Sequence, residues 1–156
     1  MNQKTKTFII SIAIPLVVGG LSALLTMKSM DIYKEINQPK FAPPGYLFPI
    51  VWTGLYILMG ISSGRIYLKN TLSNQKDYSL VIYALSLFFN CVWSIIFFNA
   101  RSYLFAFIWL VILWALVLTT IIKYYKIDKL SATLQIPYLA WITFAGYLNL
   151  AIFLLN

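Results

Sequence analysis

The chain has no histidine, one cysteine and four acidic residues in 156. Without histidine there is no imidazole general base, no histidine-ligated zinc and no histidine-bound haem iron. The single cysteine, Cys91, cannot form an intrachain disulfide, and within an apolar run it reads as a small hydrophobe rather than a nucleophile. Charged residues make up 10% of the chain and hydrophobic ones 61%. Soluble domains carry about 25% and roughly 45–50%. So few charges cannot cover a core with water-compatible surface. These shortages exclude a soluble globular enzyme, a disordered chain and a disulfide scaffold. The solvent is a bilayer.

What charge there is runs basic, with a net +8. The twelve Lys and Arg are scattered between apolar runs and form no stripe, so they read as loop charges that fix topology and not as a nucleic-acid surface. Lys4 and Lys6 precede an apolar stretch from Phe8 to Leu25, longer than the roughly 7–15 residues of a signal-peptide core and followed by no A-x-A site. It is expected to be a retained first span.

A helix needs about 20 apolar residues to cross the hydrocarbon core. Five stretches qualify: Thr7–Met27, Tyr46–Leu68, Tyr78–Phe98, Tyr103–Lys123 and Ser131–Leu154. The expected fold is an all-α membrane protein, a single-domain bundle of five transmembrane helices spanning residues 1–156. Short later connections predict that consecutive helices are antiparallel neighbours. The first connection, Lys28 to Gly45, is long: an amphipathic turn near Tyr33, then the proline-rich Gln38-Pro-Lys-Phe-Ala-Pro-Pro-Gly45. Such a loop is either a lid or a connector. All four acidic residues lie between spans, which argues against an ion-driven pump. The N-terminal, second-loop and fourth-loop side carries eight basic residues (Lys4, Lys6, Arg65, Lys69, Lys76, Lys123, Lys126, Lys129). The other side carries four (Lys28, Lys34, Lys40, Arg101). The positive-inside rule then places the N-terminus in the cytoplasm and the 28–45 loop outside, in a membrane expected to be a bacterial plasma membrane.

Aromatic residues reach 17% of the chain. Trp52 and Tyr56 share a face of span two, Asn90, Trp93 and Phe97 a face of span three, and Tyr138, Trp141, Ala145, Leu148 and Asn149 a stripe on span five. Tryptophan and asparagine at membrane depth need partners, so these faces are expected to point inward. Two readings compete there: interhelical glue, or an aromatic cavity for a flat apolar ligand. Gly60 and Gly64 form a G-x-x-x-G pair, a signal for close packing within the bundle or between protomers. Pro15 and Pro137 are expected to kink spans one and five.

Four ordered blocks resemble the tryptophan-rich sensory protein / translocator protein family (TspO/MBR, which includes the mitochondrial peripheral benzodiazepine receptor). Gln38-Pro-Lys-Phe-Ala-Pro-Pro44 stands where the family has K-P-x-W-x-P-P, and Trp52-Thr-Gly-Leu-Tyr-Ile-Leu-Met-Gly60 matches W-x-x-L-Y-x-x-M-G. Asn90-Cys-Val-Trp93 with Phe97-Phe-Asn-Ala-Arg101 matches N-x-x-W…F-F-x-x-R, and Pro137 to Asn149 fits P-Y-L-A-W-x-x-F-x-x-x-L-N. The resemblance implies a five-helix bundle, often a homodimer, with a cavity under the first loop that takes porphyrins, haem or benzodiazepine-type molecules. By position it would be lined by Trp52, Tyr56, Asn90, Trp93, Phe105, Trp141, Phe144, Ala145 and Leu148, with Tyr33, Pro43 and Pro44 in the closing loop. No obligatory cofactor or metal is implied. Porphyrin or haem would be a ligand, and lacking a strong axial donor, metal-free porphyrin is expected to bind about as well as haem. Three departures stand out: the family's loop tryptophan is Phe41 here, a Trp-Tyr pair common in bacterial relatives is Ile32-Tyr33, and the tail after Asn149 lacks the Tyr and basic residue of the mitochondrial sterol motif.

The leading expectation is a membrane receptor or sensor that binds tetrapyrroles and moves them only passively or with a partner, since no nucleotide-binding motif is present. The alternative is a light-dependent porphyrin-degrading enzyme, with Trp52 and Trp141 as electron donors. A third is a structural partner protein whose aromatic interior is only packing.

Overall fold

Helices account for nearly all of the chain in the computed structural model, which describes residues 1–156. They are α1 (Gln3–Thr26), α2 (Ile32–Glu35), α3 (Leu47–Leu68), α4 (Ser73–Ser94), α5 (Tyr103–Tyr125) and α6 (Lys129–Leu155). A π turn over Ile95–Asn99 widens the end of α4. All but α2 are long and apolar enough to cross a membrane, so the expected five-span all-α bundle stands. The helix starts are capped from the sequence: Asn2 accepts from the Thr5 amide at 2.8 Å, and Asp128 accepts from the Ser131 amide at 3.3 Å.

The helix order corrects one expectation. Consecutive spans are not all neighbours, because α3 and α4 scarcely touch. Helix α1 packs against both, while α6 joins α3 to α5 and α5 joins α4, which closes the ring. The reason is visible at Gly60 and Gly64. A Cβ on Gly60 would fall 2.4 Å from the Ile12 Cα, and one on Gly64 would fall 2.9 Å from the Phe8 ring. Only glycine lets α1 approach α3 this closely. The G-x-x-x-G pair is therefore used inside the chain and gives no support to a dimer.

The bundle's outer surface is apolar, with Ile10, Ile14, Val17, Leu21 and Leu24 exposed along α1 and Leu104, Ile108, Val111 and Ile112 along α5. Such a belt is far larger than the apolar patches of water-soluble monomers and faces lipid. The interior mixes large hydrophobes such as Met59, Ile66 and Leu113 with buried polar residues, among them Ser62, Ser63, Asn90, Gln135 and Asn149. Lipid tails are as apolar as leucine, so helices associate through packing and interhelical hydrogen bonds. The Ser62 hydroxyl donates to the Ser131 carbonyl at 2.8 Å, and the Gln135 amide donates to Ser62 at 3.2 Å. Ser63 and Tyr124 share a hydrogen bond of 2.8 Å between α3 and α5.

At the end opposite the long loop, Asp128 fastens α3 to α6. Its carboxylate accepts from Arg65 at 2.8 and 3.3 Å and from the Ser131 hydroxyl at 2.6 Å, and Lys69 lies 3.4 Å away. The Arg65 guanidinium, with Ser131 and Lys69, holds this carboxyl well below its usual range despite partial burial. A depressed folded-state value means stability present above the unfolded value of about 3.9 and lost as pH falls below it. Asp128→Asn is expected to lower stability by roughly 2–3 kcal/mol at neutral pH. The gap between variant and parent narrows in thermal melts below about pH 4; a constant gap down to pH 2 would remove the ion pair from the account.

Candidate cavity beneath the first loop

A cavity of about 780 Å³ opens under the 28–45 loop, within the roughly 300–1,000 Å³ of small-molecule sites. Its walls come from α1, α3, α4 and α6, with α2 and the loop above. Helix α3 presents Phe48, Trp52 and Tyr56 at successive four-residue steps, so the three rings descend one face. Trp52 stacks on Tyr56 with centroids 5.5 Å apart. Helix α4 adds Asn90, Trp93 and Phe97, the last two stacked at 5.2 Å. Helix α6 adds Trp141, Ala145 and Leu148. The α1 wall is kept thin by glycine: a Cβ on Gly19 would lie 2.2 Å from the Tyr56 ring.

The loop folds over this chamber through Tyr33. Its hydroxyl donates to the Pro43 carbonyl at 2.9 Å, and its ring meets Phe48 edge-on at 5.2 Å. Burial pushes the Tyr33 phenol up from its ordinary value. The Gln38 side-chain amide donates to the Tyr33 carbonyl, which closes the turn after α2. The only charged residues on the cavity wall are Asp31 and Lys34, which pair with each other at 3.3 Å on the exposed rim.

The five tryptophans divide into two groups. Trp93 donates its indole N–H to the Asn149 side-chain carbonyl at 3.1 Å, Trp109 to the Phe89 carbonyl at 2.8 Å, and Trp114 to the Thr143 hydroxyl at 2.9 Å. Asn149 in turn donates to the Tyr103 carbonyl at 2.8 Å, so it locks Trp93 against both α5 and α6. Trp52 and Trp141 both stand on the cavity wall, and no group of the chain accepts from their indole nitrogens. A buried or half-buried indole usually finds a partner. Here two residues of one chamber wall carry indoles without a partner in the chain.

Eight residues singled out from the sequence meet on this wall: Tyr33, Trp52, Tyr56, Asn90, Trp93, Trp141, Ala145 and Leu148. Four do not. Pro43 and Pro44 brace the loop from outside the chamber, Pro43 by accepting from Tyr33. Phe144 packs beside Trp141 at 5.5 Å but does not reach the wall. Phe105 is 51% exposed and faces lipid. Helix α5 buries the stripe Ala106, Leu110, Leu113 and Val117, and Phe105 lies about 100° round from it. No residue of α5 lines the chamber, because the ring order sets that helix behind α4 and α6. Sequence reasoning missed Phe48 and the α1 wall. The four-residue step to Trp52 signalled the first, and the Gly19-Gly20 pair inside a span signalled the second.

Five membrane-length helices around an aromatic chamber roofed by a loop define an integral membrane protein. The chain belongs to the TspO/MBR family, whose sequence model matches residues 11–155. It is 33% identical over 157 residues to the tryptophan-rich protein TspO of Chlorobaculum tepidum, covering 100% of this chain and 99% of that one. It is 30% identical over 150 residues to the tryptophan-rich sensory protein of Cereibacter sphaeroides, covering 96% and 89%. With the translocator protein of Sus scrofa it shares 32% over 138 residues, 87% of this chain and 82% of that one.

Asn149→Leu removes the acceptor of the Trp93 indole and the donor to the Tyr103 carbonyl together. The expected cost is roughly 2–3 kcal/mol in thermal stability, with a red-shifted tryptophan emission as Trp93 loses its fixed position. Unchanged emission would show that Asn149 does not hold the ring.

Proposed function

We propose that the chain is a membrane receptor or sensor for a planar, hydrophobic, acceptor-bearing ligand of the tetrapyrrole class. The observation that carries this reading is the pair of unpartnered indole donors, Trp52 and Trp141, on one aromatic chamber. A flat π-system gains from stacking on Trp52, Trp93 and Phe48, and its oxygen acceptors take hydrogen bonds from the two indoles. Carboxylate arms would lie at the rim, where Lys34 is the one cation on the wall. Cys91 lies off the wall and Met30 is the only sulfur donor on it, so metal-free porphyrin and haem should bind comparably. The surplus of basic residues on the α1 N-terminal side supports an orientation with the loop and chamber outside, in what we take to be a bacterial plasma membrane. Homodimerisation is an expectation that the resemblance carries.

The test is a dark titration of protoporphyrin IX into protein in nanodiscs, followed by tryptophan quenching against empty discs. Saturable quenching that weakens several-fold in Trp141→Phe or Asn90→Ala supports the reading. Lys34→Glu should weaken the diacid and leave its dimethyl ester unaffected. Quenching no different from partitioning into lipid would overturn it.

A second reading is light-driven oxidation of the bound porphyrin by dioxygen, which the excited pigment activates; it is favoured by the placement of both candidate electron donors on the wall of one chamber. It predicts light-dependent loss of porphyrin absorbance that stops in Trp52→Phe and Trp141→Phe while dark binding persists. Equal bleaching in empty lipid would exclude it.

A further inference from the structure

Beneath the chamber, two phenols are buried with no hydrogen-bond partner among the protein's own groups: Tyr83 on α4 and Tyr138 on α6. They are 6% and 1% exposed and belong to the same core cluster as Tyr56 and Tyr124. An unpaired hydroxyl at membrane depth is costly, since no bulk water reaches it. Two in one cluster mark a place where something polar binds.

The surrounding groups show what it is. The Tyr138 ring lies 6.0 Å from that of Trp52, which stacks on Tyr56, and Tyr138, Tyr83 and Tyr56 pack in one core cluster. Asn90 donates to the Tyr56 hydroxyl at 3.3 Å, and both residues line the chamber. On the far side, Ser63 and Tyr124 are bonded to each other, with the Tyr124 ring 6.3 Å from that of Tyr83. Hydroxyls and an amide from α3, α4 and α6 thus converge without a charge among them. Such a set suits a small neutral species that both donates and accepts, with two to four partners.

We propose that Tyr83 and Tyr138, with Asn90 and Tyr56, form a buried water site under the chamber floor. The bound water accepts hydrogen bonds from the Tyr138 and Tyr83 hydroxyls and donates to the Asn90 carbonyl oxygen or the Tyr56 hydroxyl. It fixes the Tyr56–Asn90 pair from below, so the floor meets a ligand with its polar groups already oriented. It also extends a hydrogen-bonded path from the floor toward the Ser63–Tyr124 pair, in the half of the bundle away from the loop. The site does not depend on what occupies the chamber.

The test is X-ray hydroxyl-radical footprinting of the full chain in nanodiscs, in which radicals born from bound water modify the side chains beside it. Tyr83 and Tyr138 should be modified several-fold faster than Tyr124, which is equally buried but has its hydroxyl paired with Ser63. Tyr138→Phe should cut the modification of Tyr83 several-fold. A melting experiment gives an independent readout. If the phenols hold water, Tyr83→Phe and Tyr138→Phe each lower the melting temperature, and the double variant loses less than the sum. Modification no faster than that of Tyr124, or a Phe variant that melts at or above the parent, would overturn the proposal.

Discussion

The structure depends on one constraint: in hydrocarbon, every polar group must find its partner inside the bundle. The rule turns the usual protein interior around. Here the lipid-facing surface is aliphatic and aromatic, and the interior carries serines, threonines, asparagines, a glutamine and tyrosines. Each interhelical contact with specificity is a hydrogen bond or a close approach over glycine. Ser62 meets Ser131, Ser63 meets Tyr124, Trp93 meets Asn149, and Gly60 lets α1 onto α3. The aliphatic remainder packs around these points. Polar groups left unmatched then mark where the chain expects something other than itself.

The chamber follows from how the helices close the ring. Because α1 inserts between α3 and α4, those two helices stand apart at the loop end and leave a space with aromatic rings on three of its helices. Phe97, in the π turn at the end of α4, borders this space, and the loop closes over it through Tyr33 and through Asn37. Helix α5 stays outside and gives the bundle lipid contact without reaching the chamber. The opposite end is fixed by the ion pair of Asp128 with Arg65 and Lys69. One end is tied by ion pairs, and the other is roofed by a loop that Asn37 hydrogen-bonds to Leu155 and Asn156 at the end of α6.

Much of this was legible in the sequence, and the parts that were not have a common physical cause. Span number, span limits and the inward faces of α3, α4 and α6 follow from length, hydropathy and spacing of three and four, which are local properties. Neighbour relations are not local. Phe105 was placed on the wall by position alone, and the ring order turns it to lipid. The G-x-x-x-G pair announced a close contact without saying with what, and the partner proved to be Ile12 and Phe8 of the same chain. The difference between Trp93, whose indole is spoken for, and Trp52 and Trp141, whose indoles are free, needs the third dimension as well. Spacing in the sequence put Trp52, Trp93 and Trp141 on inward faces; only hydrogen-bond geometry shows that the Trp93 indole has an acceptor in the chain.

The central claim is that the chamber walled by Trp52, Trp93 and Trp141 receives a planar ligand inside the bundle. The most direct measurement labels the five tryptophans with 5-fluorotryptophan and follows their fluorine resonances in nanodiscs as protoporphyrin IX is added in the dark. The account predicts that Trp52, Trp93 and Trp141 shift saturably, while Trp109 and Trp114, bonded elsewhere in the bundle, stay in place. Uniform drift of all five with lipid-dissolved porphyrin, or no movement at the three chamber positions, would contradict it.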